Sequence, residues 1–203
     1  MLIAFTFSGA ASRFDWRREL IVEEANAIGT AYLRLDLLPS GAQPEMRELF
    51  RKYLDSRLQV YAKLPNVEAA QTELTVSTNL QSKIWSQAVS ASRSEGSHPD
   101  AAKLLLPALN QMIDITTTRT MAGRTHPPVI IFMLLFGVGL ICAALAGYAM
   151  AGAKKRAWFH ILGFAVVVVV AIYVILDMEY PRTGIIRVDP HDQVLRELRG
   201  SMK

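Results

Sequence analysis

Two long apolar runs without a charged residue lie in the second half of the sequence. The first extends from Val129 to Ala153 and the second from Ala157 to Leu176. A helix needs about 20 apolar residues to cross the hydrocarbon core of a bilayer. In lipid the backbone must satisfy its own hydrogen bonds, so two such runs joined by a few residues predict a transmembrane helical hairpin over 128–153 and 157–177.

The ends of these runs carry residues typical of a membrane boundary. Pro127 and Pro128 precede the first run, and proline suits the first turn of a helix but cannot extend it backwards. Trp158 stands at one edge of the second run, and Tyr173 and Tyr180 stand near the other, as interfacial aromatic residues do.

Residues 13–127 show a helical spacing of apolar positions. The spacing predicts four amphipathic helices, over about 13–38, 44–64, 68–91 and 100–121, the last with a kink at Pro107. None of them can bury its apolar face alone, so we expect an extramembrane bundle, followed by a polar tail over 178–203. The predicted fold class is an all-α integral membrane protein.

The first twelve residues are apolar but short. At 1.5 Å per residue a helix over 1–12 reaches about 18 Å, less than a bilayer core. The segment also lacks the basic start of a signal peptide. We therefore expect it to be the end of a membrane helix in a truncated chain.

Small residues repeat every four positions in the first apolar run. Such a stripe lets helix backbones approach closely in lipid. Packing within the hairpin is the favoured interpretation, and a contact between subunits is the alternative. The stripe consists of Gly139, Ala143, Gly147 and Ala151.

Composition and charge exclude two further classes of protein. With 51% hydrophobic residues among 203, the chain is not a disordered protein. Its net charge of +4 is concentrated in Lys154, Lys155 and Arg156, between the apolar runs, whereas residues 13–124 carry 14 basic and 13 acidic side chains. This distribution indicates membrane topology or lipid headgroups, and no nucleic-acid partner is expected.

Signatures of catalysis are absent from the sequence. It contains no HExxH, no phosphate-binding glycine loop, no G-x-S-x-G and no C-x-x-C, and Cys142 is the single cysteine. We therefore predict no enzymatic activity, no cofactor and no metal site. The acids near the end of the second run favour pairing with Arg182 and Arg187 over calcium binding; they are Asp177, Glu179, Asp189 and Asp192.

The first amphipathic helix carries a polar stripe. Glu19, Glu23, Asn26 and Thr30 follow one face, among small residues that allow close neighbours. One interpretation is a buried helix in which Asn26 and Thr30 form interhelical hydrogen bonds. The other is a polar face along an aqueous path.

Three segments resemble one known family. They are SRFDWRRELIVEEANAIGTAYLRLDLLP from Ser12, HPP from His126 and DMEYPRTGIIRVD from Asp177. The resemblance is to the uncharacterised bacterial bestrophin-like membrane proteins, and it extends over nearly the whole chain. It implies a distant similarity to bestrophins, which are oligomeric anion channels with helical cytosolic domains.

The resemblance implies roles for particular residues. Phe5 and Phe7 would lie near a hydrophobic constriction, and Glu23, Asn26 and Thr30 would line the approach to it. The basic and aromatic segment at the membrane exit would comprise Arg13, Asp15, Trp16 and Arg17.

The functional hypothesis that follows is a homo-oligomeric channel for chloride or other small anions. It would lie among the lipids of the bacterial inner membrane, with a cytoplasmic bundle. The alternative hypothesis is a non-conducting, membrane-anchored sensor or scaffold whose helical bundle binds a ligand or partner.

Overall fold

The computed structural model describes residues 1–151 and 158–202. In that part of the chain the regular elements are helices and no strand occurs, which confirms the all-α prediction. Two 3₁₀ turns lie at Arg34–Leu37 and Asp189–Asp192. The α-helices are α1 Leu2–Leu33, α2 Gln43–Ala62, α3 Val67–Ala91, α4 Ala101–Arg124, α5 Val129–Met150, α6 Trp158–Glu179 and α7 Gln193–Ser201.

The chain forms two compact units. The first comprises Met1–Asp15 and Arg124–Arg187, and the second comprises Trp16–Gly123 and Val188–Lys203. Helix α1 therefore contributes residues to both units. The described residues do not include Ala153, the basic residues 154–156 or Ala157, where the predicted hairpin loop falls.

The second unit is a helical bundle with its own core. Helices α2 and α3 are antiparallel, because Gln87 on α3 hydrogen-bonds Glu45 on α2 and Ser77 hydrogen-bonds Ser56 further along. The ring of Tyr32 meets that of Phe50 edge-on at 5.9 Å. The core side chains are fully or almost fully buried and include Ile28, Leu35, Phe50, Leu54, Ile84, Leu105, Leu109, Met112 and Leu195.

Local sequence explains where these helices begin and end. The side chain of Asn66 caps α3 by accepting a hydrogen bond from the Ala69 N–H at 3.1 Å. Gly96 has φ +81° in the turn before α4, a conformation that other residues rarely adopt. Helix α4 runs uninterrupted through Pro107, and the kink expected there stays a prediction.

The segment treated as a polar tail is structured. It contains the 3₁₀ turn at Asp189–Asp192 and the amphipathic helix α7, and Leu195 is completely buried in the core of the second unit. The guanidinium of Arg199 also donates two hydrogen bonds to Asp55, at 2.7 and 3.0 Å. Nine residues are too few for a helix that is stable on its own, so α7 depends on the packing of Leu195 in the core.

The first unit packs α1, α5 and α6 around a small core. Ala10, Leu135 and Ile175 are its buried residues. Two stretches are long and apolar enough to cross a membrane, Ala101–Met150, whose apolar part is α5, and Trp158–Glu179. Only 6% of the most apolar window in each stretch is buried.

The end of α6 is fixed by a carboxylate that binds the backbone. Asp177 accepts hydrogen bonds from the N–H groups of Ile185 and Ile186, the latter at 2.7 Å. The chain passes so close to this carboxylate that a Cβ atom at Gly184 would collide with it. Glycine at 184 is therefore needed for the close approach.

We expect Gly184→Ala to lower the free energy of unfolding by about 1–3 kcal/mol, because displacing Asp177 leaves backbone donors without their acceptor. Thermal or denaturant unfolding of the detergent-solubilised protein, followed by circular dichroism, measures the loss. Gly41→Ala is the control, since no described atom lies within 4 Å of the position of its Cβ. Equal stabilities of the two variants would contradict this account of Gly184.

Candidate functional site

Helices α1 and α4 lie side by side in the second unit and run in opposite directions. Near the end of α1, Arg34 donates to the carbonyl oxygen of Leu104 at 2.5 Å. Near the start of the unit, Arg17 donates to the carbonyl oxygen of Ala122 at 3.1 Å. These contacts join opposite ends of the two helices, which are therefore antiparallel.

An open groove of about 670 Å³ lies between α1 and α4. Three of its lining residues are apolar: Ala27 is buried, Ile115 is half-buried and Pro107 is exposed. The other lining residues are polar and include two acids but no basic side chain. They are Glu23, Asn26, Asn110, Gln111, Asp114 and Thr118.

The groove lining includes two of the three residues predicted to line the approach to the constriction. Glu23 and Asn26 are exposed and lie in its wall. Thr30 is exposed on the same helix but is not part of the groove lining. The α4 side of the groove was not anticipated, although Asn110, Asp114 and Thr118 recur at intervals of four on one helical face.

A buried ionic cluster in the second unit is centred on Glu24, the residue that follows Glu23 on α1. Arg57 on α2 donates from Nε to Glu24 Oε1 at 2.5 Å, and Arg119 on α4 pairs with Glu24 Oε2. The hydroxyl of Tyr61 donates to the same Oε2 at 3.0 Å. Arg119 also binds Asp192 at 2.8 Å, so Glu24 links α1, α2 and α4, and Arg119 extends the network to the turn before α7.

The charges in this cluster control its protonation. Burial alone would raise the pKa of Glu24, but the positive charges and hydrogen bonds of Arg57 and Arg119 outweigh it and lower that pKa to about 2. Burial raises the pKa of Tyr61, so its phenol stays protonated and remains a hydrogen-bond donor. Arg119 also lies over the Tyr61 ring, 3.6 Å from its centroid.

The second unit also contains a buried hydrogen-bond network that is separate from the ionic cluster. Tyr53 and Thr116 hydrogen-bond through their hydroxyls at 2.9 Å, and Gln81 on α3 donates to both. Burial raises the pKa of Tyr53. Together with Glu24, these groups fix the register of four helices by polar contacts rather than by apolar packing alone.

The residues predicted to form a membrane-exit cluster contact different partners. Arg13, in the first unit, donates to the buried Glu179, whose Oε2 is 3.7 Å from Nδ1 of His126. Arg17, in the second unit, is buried against α4. Asp15 and Trp16 are exposed. Among the described residues no group of three or more metal-ligating side chains occurs.

The remaining predicted residues lie in the first unit. Phe5 and Phe7 are exposed on α1, by 76% and 44%. In the small-residue stripe, a Cβ at Gly139 would be 3.9 Å from Val168 on α6, whereas Ala143, Gly147 and Ala151 are exposed. Within the described part of one chain, Gly139 of the stripe thus lies close to α6.

We expect Arg57→Met to lower the free energy of unfolding by about 3–5 kcal/mol, because Glu24 then lacks one of its two buried cations. Arg51→Met on the same helix is the matched control. Its salt bridge to Glu48 is partly exposed and should contribute less than about 1 kcal/mol. Chemical unfolding of both variants measures the loss of stability in each. Equal losses would show that the buried cluster stabilises the fold no more than the partly exposed salt bridge does.

The low pKa of Glu24 predicts how the stability of the fold changes in acid. A depressed carboxyl pKa stabilises the fold fully above the unfolded value of about 4.5, and the contribution is lost as the pH falls towards 2. Carboxyl-labelled ¹³C NMR should therefore show Glu24 still ionised at pH 3. Its signal is assigned through Glu24→Asp, and a titration midpoint near 4.5 would contradict the prediction.

Comparison with known proteins identifies the family. A family model for the Bestrophin-like domain matches residues 1–193. No curated protein and no solved structure matches the chain. The family is membrane-associated, includes oligomeric anion channels and is not enzymatic in general. Because the match covers nearly all of its residues, the chain belongs to the bestrophin-like family.

Proposed function

We propose that this protein is a subunit of a homo-oligomeric channel that conducts chloride or other small anions across the bacterial inner membrane. The observation that carries the proposal is the match of residues 1–193 to a family that includes anion channels. The exposed apolar helices of the first unit support it, because a channel needs segments that face lipid.

In this proposal α5 and α6 form the transmembrane hairpin. Each has 22 residues, enough to cross a bilayer core of about 30 Å. Residues 1–12 are also placed in the membrane, and 13–127 form a bundle on the cytoplasmic side. Large side chains such as Leu140 and Val167, exposed by 72% and 67%, then contact lipid or neighbouring subunits.

The ion path is proposed to follow α1. Exposed Phe5 and Phe7 supply an apolar constriction, which gates by excluding water. Exposed Asn26 and Thr30 offer amide and hydroxyl donors to an anion on the approach. Glu23 on the same face opposes anion entry, so the path has both attractive and repulsive groups.

The small-residue stripe is proposed to pack between subunits. Ala143 and Gly147 are exposed in one chain, and small residues allow helix backbones to approach closely. Of the two interpretations of the stripe, exposure favours the contact between subunits. A mass measurement of the detergent-extracted complex reports the number of copies.

Reconstitution tests conduction directly. Liposomes that contain the purified protein and a chloride-sensitive dye should show protein-dependent chloride entry, and empty liposomes should not. Gluconate in place of chloride controls for leakage. The absence of flux over a range of voltage, pH and calcium concentration would overturn the proposed function.

We expect the double substitution Phe5→Ala with Phe7→Ala to raise chloride flux severalfold, because a smaller side chain weakens the dewetted barrier. The matched control is Phe136→Ala with Phe164→Ala, two phenylalanines of α5 and α6 exposed by 48% and 47%. The controls should leave flux unchanged. Equal effects of the two pairs would remove the phenylalanines of α1 from the ion path.

One observation favours the alternative of a membrane-anchored sensor. The bundle carries an open groove lined by both polar and apolar side chains, a mixture typical of ligand sites. A monomer or dimer without chloride flux, together with ligand binding in the groove, would support the sensor over the channel.

A further inference from the structure

We infer that His191 makes the docking of the C-terminal segment, residues 188–202, sensitive to pH, so that the segment is held at neutral pH and opens more often in mild acid. The segment comprises the 3₁₀ turn at Asp189–Asp192 and α7. Histidine is the side chain whose charge ordinarily changes between about pH 5 and 8. His191 lies in the 3₁₀ turn, so its charge acts where the segment meets the rest of the second unit.

The first argument is the hydrogen bond that the ring accepts. The guanidinium of Arg18 on α1 donates from Nε to Nε2 of His191 at 2.8 Å. A guanidinium is always charged in proteins and can only donate, so Nε2 must be the unprotonated nitrogen of a neutral ring. Protonation at Nε2 removes this hydrogen bond and brings two positive charges into contact.

The second argument concerns the other ring nitrogen. With Nε2 as the acceptor, the proton of the neutral ring is on Nδ1. This atom is buried, and among the described residues it has no hydrogen-bond partner. A charged ring would therefore carry two N–H donors, one facing a guanidinium and the other without an acceptor in the described part of the chain. The docked arrangement thus favours the neutral form.

The charges around the ring do not reverse this preference. Besides Arg18, they are Arg119 on α4 and, on the turn itself, Asp189 and Asp192. The two aspartates would attract a charged ring, but Asp192 is bound by Arg119 at 2.8 Å, and Asp189 is not free either. Because the docked segment favours the neutral ring and an undocked ring can take up a proton, docking weakens as the pH falls.

The segment covers one side of α1 along much of its length. A Cβ atom at Gly29 would lie 3.4 Å from Leu198, so α7 contacts α1 there, and the contact of His191 is at Arg18. Eleven residues of helix separate these two contacts, which is about 17 Å. Leu195 remains buried in the core at either pH, so the loss of one contact changes how often the segment opens without unfolding the bundle.

The response of His191 is separate from that of the ionic cluster. The pKa of Glu24 is lowered to about 2 by Arg57 and Arg119, so this carboxylate stays ionised throughout the range in which histidine titrates. A change in docking between pH 7.5 and 5.5 is therefore not caused by protonation of Glu24.

Hydrogen exchange measured by mass spectrometry on the full-length, detergent-solubilised protein tests the inference. Rates at pH 7.5 and 5.5 are compared with the intrinsic rates at the same pH, which gives protection factors for the amides of α7. We expect the protection of α7 to be about fivefold lower at pH 5.5, a change of the size that one hydrogen bond contributes. Peptides from α3, which contains no histidine, should keep the same protection at both values.

Substitutions assign the response to one contact. His191→Gln offers Arg18 a carbonyl acceptor that does not titrate, so the protection of α7 should be the same at both pH values. Arg18→Met removes the like charge and should also abolish the pH response, with lower protection at pH 7.5. His98→Gln is the matched control and should keep the fivefold change. His98 is exposed in the loop before α4, where its Nδ1 accepts a hydrogen bond from the N–H of Asp100 at 3.2 Å.

Three results would overturn the inference. They are equal protection of α7 at both pH values in the unsubstituted protein, a pH response that persists in both His191→Gln and Arg18→Met, and a fall in the protection of α3 as large as that of α7. The inference does not depend on conduction, because exchange is measured without a membrane or an ion gradient. Chloride flux without a pH response of α7 would leave the proposed function intact, and the response without flux would leave the role of His191 intact.

Discussion

The buried carboxylate of Glu24 is the constraint on which the bundle depends. An ionised carboxylate away from water is tolerated only with cationic partners and hydrogen bonds, and here Arg57, Arg119 and Tyr61 provide them. Such a cluster adds little net stability compared with apolar packing of the same volume. It does penalise every arrangement of the helices that separates its members, so it selects one register.

This register determines what the surface of α1 presents. Successive residues of an α-helix point about 100° apart, so Glu24 faces the interior while Glu23 faces the groove. Asp192 extends the same constraint to the C-terminal segment, where Arg119 binds it at 2.8 Å and Leu195 enters the core. The groove and the docking of α7 are thus two consequences of one buried ion pair network.

Much of this arrangement follows from the sequence because helical period and proline are strong signals. The predicted spans of α2, α3 and α4 differ from the structure by at most three residues at any end. The ionic cluster was not predicted, although the spacing of its residues in the sequence indicates it. Glu24 lies on the apolar stripe with Ile21 and Ile28, and Arg57 lies four residues from both Tyr53 and Tyr61.

An acid on one apolar stripe and bases on two others indicate a buried ion pair, because each charge would otherwise lack compensation. The groove leaves no comparable trace. Its walls combine polar residues of α1 and α4 that are some 90 positions apart, and only the tertiary pairing of these helices brings them together. Period identifies which face of a helix is polar, but not which other polar face lies opposite.

The two units place different demands on their surroundings. The bundle buries its own apolar side chains, including Ile28, Phe50 and Leu109, so its surface suits water. In the first unit, α5 and α6 share only a small core and leave rows of leucine, valine and phenylalanine exposed. A patch of that extent is unfavourable in water. Covering this patch with lipid or with another apolar surface is therefore favourable, and the small residues along α5 allow helices to pack closely there.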